Sequence, residues 1–253
     1  MILDLFELQG RVAIVTGCNT GLGQGMARAL AQAGADIVGI NVTEPTETAE
    51  QVRSLGRQFL DLRANLGRID GIEGLVQQAL GLAGHVDILV NNAGIIRRED
   101  ALSFSEKDWD DVIDINLKSV FFFSQAVARQ FIAQKTGGKI INVGSMLSFQ
   151  GGVRVPSYTA SKSGVMGITR LMANEWAVHG INVNAIAPGY MATDNTAALR
   201  ADESRNSSIL ERIPAGRWGT ADDLAGPVVF LASGASDYVN GYTVAVDGGW
   251  LAR

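Results

Sequence analysis

Short apolar runs, mostly β-branched, recur along the chain, with stretches of helical periodicity between them. Val12–Thr16 is the first run; Ile37–Ile40, Val86–Val90, Lys139–Val143, Ile181–Ile186 and Tyr242–Val246 follow, with Gln58–Leu62 as a seventh candidate. The runs are nearly continuous in apolar character, as expected of strands buried on both faces. Between them, Ile69, Ile72, Val76, Ala79 and Ala83 share one helical face. Gln24–Ala33 predicts a helix directly after the first strand. Residues Trp109 to Gln134 predict one long helix, apolar broadly enough to lie buried between layers. No linker or repeat divides the alternation. It predicts an α/β fold: one doubly wound, Rossmann-type domain over residues 1–253, with a seven-stranded, mostly parallel sheet and helices on both faces.

Composition narrows the functional classes. Of the 253 residues, 47% are hydrophobic and 19% charged, which fits a packed core and argues against disorder. The net charge of −5 and the lack of a basic block argue against a nucleic acid or anionic membrane as partner. The single cysteine, Cys18, fits a reducing compartment such as the cytoplasm. No apolar run is long enough to span a bilayer, and Met1 to Gln9 lacks the character of a signal peptide. No His, Cys or acidic cluster has metal-ligand spacing.

The first strand runs into Thr16-Gly17-Cys18-Asn19-Thr20-Gly21-Leu22-Gly23 and then a helix. Glycines at 17, 21 and 23 permit a tight turn and let a pyrophosphate approach the backbone at the helix N-terminus. An ordinary glycine-rich turn is the plainer reading; placement after strand one of an alternating fold favours a dinucleotide site. Strand two ends at Asn41, which can bond ribose hydroxyls. No basic residue stands at Cys18–Thr20 or at Val42 to meet a 2′-phosphate, so NAD is expected over NADP. Cys18 reads as a small loop residue.

Tyr158 and Lys162 stand four residues apart, with Ser145 thirteen residues upstream of Tyr158. Positions i and i+4 share a helical face, so the ammonium can lie near the phenol. A phenol with a pKa of about 10 is a poor base at neutral pH, and a nearby cation favours its ionised form. The plain alternative is a helix-edge tyrosine with a solvated lysine.

These motifs in this order, with Asn91-Asn92-Ala93-Gly94, Asn116, Pro188-Gly189 and Thr193 between and after them, resemble the short-chain dehydrogenase/reductase family along essentially the whole chain. The resemblance implies Asn116, Ser145, Tyr158 and Lys162 as the catalytic set. Tyr158 would be the acid/base, Ser145 the donor to the carbonyl oxygen, and Lys162 the cation that lowers the Tyr158 pKa and holds the nicotinamide ribose. Asn116 would anchor a water leading from Lys162 to solvent; from the residues alone, a helix-interior Asn bonded to backbone is the alternative. The implied cofactor contacts are Gly17, Asn19, Gly21, Leu22, Gly23, Asn41, Asn65, Leu66, Asn92, Ala93, Gly94, Tyr158, Lys162, Pro188, Gly189 and Thr193. Asn91 would serve both the fold and the cofactor cleft. Asn65 departs from the Asp frequent in the family at the adenine.

Ile96–Ala101, Ser145–Tyr158 and Ala187–Thr193 resemble the branch of the family that acts on sugar acids in uronate breakdown. A carboxylate substrate needs a cation or several donors. Arg154, four residues before Tyr158, is the first candidate, then Arg97 and Arg98; Ser145, Met146, Gln150 and Tyr190 would complete the pocket. The polar segment at 190–212 predicts a lid. Ala160, Gly164 and Gly167 form a small-residue stripe on the Tyr158 helix, and with the family's habit imply a homotetramer. A gluconate 5-dehydrogenase or a 3-oxoacyl-thioester reductase would share the catalytic residues and differ in the pocket. A dinucleotide-binding regulator without turnover is the reading from a different class.

Overall fold

The computed structural model describes every residue from Met1 to Arg253. Seven strands, β1 (Val12–Thr16), β2 (Asp36–Asn41), β3 (Phe59–Arg63), β4 (Ile88–Asn91), β5 (Gly138–Val143), β6 (Ile181–Pro188) and β7 (Thr243–Val246), form one sheet in the order β3-β2-β1-β4-β5-β6-β7. Every neighbouring pair is parallel, for example Ala13 opposite Ile88 between β1 and β4 and Ile140 opposite Val183 between β5 and β6. The helices are α1 (Gly21–Gln32), α2 (Thr46–Ser54), α3 (Ile72–Ala83), α4 (Glu106–Ile113), α5 (Ser119–Gln134), α6 (Pro156–Trp176), α7 (Ala197–Ala201), α8 (Glu203–Arg212) and α9 (Ala225–Ala232).

Alternate residues of each strand feed two cores. Ala13 and Val15 of β1 pack with Met26 and Leu30 of α1 and Val228 and Leu231 of α9. Val12 and Ile14 pack with Val76 of α3, Phe123 and Phe131 of α5 and Met172 of α6. This two-sided burial accounts for the near-continuous apolar strands seen in the sequence. A third, smaller cluster of Met146, Ile209, Ile213 and Trp250 lies away from the sheet. The strand order turns back at β1 and β4, so a crevice opens beyond their C-terminal ends, where ligands of such sheets bind.

Residues Trp109 to Gln134 are not one uniform helix. A π-helical turn at Asp114–Lys118, in which the Ser119 N–H reaches back to the Asp114 carbonyl, separates α4 from α5. The extra residue in that turn shifts the phase of the helical faces. The segment is also not buried all round, for Trp109, Phe122 and Ile132 are exposed. The small-residue stripe on α6 is likewise divided: a Cβ at Gly164 would meet Leu117 of the same chain at 2.8 Å, whereas Gly167 faces open space. No helix is long and apolar enough to cross a membrane.

Candidate active site

The crevice at the switch point is a cleft of about 1080 Å³. Its floor is the turn from β1 into α1. Gly17 lies at φ +63°, and a Cβ there would come 2.9 Å from the Ala93 Cα. A Cβ at Gly23 would fall 2.1 Å from the Gly17 carbonyl oxygen, so only glycine lets the helix start this close to the strand. The free N–H groups of the first turn of α1 then face the cleft, which suits a pyrophosphate.

Thr16 ties this floor to the turn after β4. Its Oγ1 accepts the backbone N–H groups of Asn92 and Ala93, each at 3.0 Å. Asn92 Nδ2 donates to the carbonyls of Thr16 (3.0 Å) and Gly17 (2.8 Å). Asn92, Ala93 and Gly94 line the cleft as expected. Asn91 does not: its Nδ2 is buried against Ser124 Oγ and Asn142 Oδ1, so it serves the sheet alone.

At the adenosine end Asn41 lines the cleft. Its carboxamide is turned under the loop, where Oδ1 accepts the Cys18 N–H at 2.8 Å. Asn41 is 2% exposed and is committed to holding the glycine turn. The groups at the mouth are Val42, Thr43 and Asn19, the last donating from Nδ2 to Thr43 Oγ1 at 2.8 Å. One cation escaped the sequence reading because it comes from the next strand: Arg63 Nη1 donates to the Val42 carbonyl at 3.3 Å. It is ion-paired with Asp61 at 2.7 Å and Glu44 at 3.9 Å. Asn65 and Leu66 line the cleft beside it, with Asn65 Oδ1 accepting the Gly67 N–H.

Pro188 and Gly189 close the far wall, and Thr193 sits across from the glycine turn, its Cγ2 3.9 Å from where a Gly21 Cβ would be. Leu22 and Asn19 line the same space.

Tyr158, Lys162 and Ser145 meet at the other end of the cleft. Ser145 follows β5, caps a 3₁₀ turn at Met146–Ser148 and accepts the Leu147 N–H. Tyr158 and Lys162 come from the start of α6, with Lys162 Nζ 5.6 Å from the phenol ring centre. Lys162 is 5% exposed, and its Nζ donates to the Val143 carbonyl at 2.7 Å. Burial pushes the Lys162 pKa down to about 8. The same burial raises the Tyr158 pKa above its ordinary value, opposed by the Ser145 hydroxyl and then by the charge of Arg98. The cation expected to depress the phenol pKa is therefore itself desolvated, and in this structure burial outweighs the depressing influences.

Asn116 lies in the π-helical turn, fully buried, and does not line the cleft. Its Oδ1 accepts the Ile95 N–H at 2.9 Å and its Nδ2 donates to the Ile95 carbonyl at 2.8 Å. The side chain thus clamps the segment after Gly94 through its backbone.

The substrate residues separate. Arg98, Arg154, Gln150, Met146 and Tyr190 line the cleft. Arg97 does not; its guanidinium pairs with Asp108 at 3.3 Å. Arg154 is exposed and already neutralised by Glu99 (3.4 Å) and Asp100 (3.5 Å). Within residues 190–212 lie a 3₁₀ turn at Asp194–Thr196, then α7 and α8. Arg205, Ser208, Ile209 and Arg212 of α8 face the cleft at i, i+3, i+4 and i+7, an amphipathic pattern that the polar composition of the segment obscured. Trp250 also lines the cleft, stacked edge-on against Tyr190 with ring centres 4.7 Å apart. No group of side chains is arranged to hold a metal ion.

A family model described as short chain dehydrogenase matches residues 11–204. The chain is 75% identical over 253 residues to the 2-dehydro-3-deoxy-D-gluconate 5-dehydrogenase of Escherichia coli K12, covering 100% of both. It is 71% identical to the protein of the same name from Dickeya dadantii, again over 100% of both. Among solved structures, one from Agrobacterium tumefaciens, assigned provisionally as a 2-deoxy-D-gluconate 3-dehydrogenase with bound NADP, is 54% identical with a TM-score of 0.94, covering 99% of this chain and 100% of that one.

Proposed function

The chain belongs to the short-chain dehydrogenase family and is an oxidoreductase; from that membership we propose that it interconverts 2-dehydro-3-deoxy-D-gluconate and its 2,5-diketo form, with NAD as the hydride partner. The observation that carries the reading is the meeting of Tyr158, Lys162 and Ser145 in one cleft with the Gly17–Gly23 turn. The substrate is supported by full-length identity of 75% to a relative of that name.

A bound nicotinamide ring supplies or accepts the hydride. In the oxidising direction Tyr158 takes the hydroxyl proton as the hydride leaves, and in the reducing direction it returns one. Ser145 donates to the same substrate oxygen and stabilises its negative charge. Lys162 stays mostly protonated at pH 7, with its pKa of about 8, and keeps a cation beside the phenol. Arg98, which lines the same cleft, adds a second positive charge. Asn116 acts through Ile95 as a positioning residue. The segment at 190–212 closes over the substrate and excludes water.

The preference for NAD is supported by charge. The one cation beside the ribose end, Arg63, is matched by both Asp61 and Glu44, so a 2′-phosphate would meet net negative charge. Initial rates with NADH and NADPH on 2,5-diketo-3-deoxygluconate and on uncharged ketones test both parts. A higher kcat/KM with NADPH removes the NAD assignment, and a preference for uncharged ketones removes the substrate.

A further inference from the structure

Four arginines line the cleft, Arg98, Arg154, Arg205 and Arg212, and only Arg154 has carboxylate partners. Arg98 stands at the proton-transfer end, where its charge bears on the Tyr158 phenol. The reacting C5 and the C1 carboxylate of a hexonate lie at opposite ends of the carbon chain. The cation for the acid group must therefore be a different one, farther from Tyr158.

Arg212 has the surroundings of such a site. Its guanidinium lies over the Trp250 ring, 3.9 Å from the ring centre, a cation–π contact that holds it in place. Arg212 Nη2 donates to Gln150 Oε1 at 3.5 Å, and Tyr190 packs edge-on against Trp250. Below it Ile209 and Ile213 join Met146 and Trp250 in a small apolar cluster that anchors α8. Arg253 donates to the Glu211 and Arg212 carbonyls and satisfies the end of that helix. Arg205 also faces the cleft, but seven residues along α8 puts it about 10 Å away, without the aromatic plane.

We propose that Arg212, carried on α8 and stacked on Trp250, binds the substrate's carboxylate and sets the preference for acidic over neutral ketones; this rests on the sugar-acid reading above. Because the cation rides on the segment that covers the cleft, an acidic substrate also favours the covered state, and a neutral ketone lacks that coupling.

Steady-state kinetics of Arg212→Gln in the full-length protein test this, with 2,5-diketo-3-deoxygluconate beside an uncharged ketone. Loss of a charge-assisted contact raises KM for the acid by about ten-fold or more, while KM for the uncharged ketone moves by less than about two-fold. Affinity for NADH, read by fluorescence titration, stays at the wild-type value. If the Gln variant does not fold, Arg212→Met keeps an apolar arm over Trp250 and carries the same comparison. An unchanged KM for the acid, or an equal rise for both substrates, overturns the assignment of Arg212. Wild-type activity confined to uncharged ketones instead overturns the sugar-acid reading, before any variant is made.

Discussion

Replacing Lys162 by Met separates what this side chain does for the reaction from what it costs the fold. Lys162 is 5% exposed, and burial lowers its pKa from 10.5 to about 8. A group whose charged form is disfavoured in the folded state binds more protons when unfolded. Between pH 8 and 10.5 the unfolded chain holds the extra proton, so stability rises with pH across that window. The penalty is fully present below pH 8 and gone above 10.5, and its size is about 3 kcal/mol. Met lacks the titration, so the stability of Lys162→Met relative to wild type should fall by about 3 kcal/mol from pH 7.5 to 10.5. Loss of the 2.7 Å bond to the Val143 carbonyl adds an offset but little pH dependence. Urea unfolding of the cofactor-free proteins at a series of pH values reads the difference, and the lysines and tyrosines remote from residue 162 cancel between the two. The same variant should lose turnover, since Tyr158 would lose the cation beside it. A stability difference that stays flat from pH 7.5 to 10.5 would refute the claim that Lys162 is a desolvated cation.

Tyr158→Phe removes only the phenol oxygen; turnover should be lost while NADH binds within about two-fold of wild type by fluorescence, and retained turnover would reassign the proton transfer. Arg154→Ala should change KM for acidic and uncharged substrates by the same small factor, because Glu99 and Asp100 already meet its charge; a rise confined to the acid would return Arg154 to the carboxylate. We propose a homotetramer, supported by the open face at Gly167 on α6 and by the exposed Trp109 and Phe122 on α4 and α5; sedimentation equilibrium at micromolar concentration should give four times 26.8 kDa, and a monomer mass would count against it.

The sheet was legible because each strand is buried on both faces and its apolar run has little to interrupt it, as at Ala13–Val15. The glycine turn was legible because Gly17 and Gly23 are fixed by backbone geometry, which a sequence displays directly. Side-chain direction was not. Asn41 turns toward Cys18 and Asn116 toward Ile95, and neither choice follows from spacing. Charge pairing was hidden as well: Arg154 is near Tyr158 in sequence, but its partners Glu99 and Asp100 come from a segment about 55 residues earlier. Arg212 escaped notice because its Trp250 platform lies 38 residues away, on the far side of β7. The break between α4 and α5 depends on one extra residue in a turn, which no apolar pattern reveals.

Cys18 gives the cofactor floor a chemical clock. The thiol is fully buried and its pKa is pushed up to about 11, with burial outweighing the Asn41 hydrogen bond that pulls it down. At neutral pH it is neither accessible nor ionised, so an alkylating reagent reaches it only when the glycine turn opens. With no other cysteine in the chain, the rate of thiol modification measures that opening without any introduced label. A dinucleotide seated on the turn should slow the clock by the factor with which it holds the turn closed.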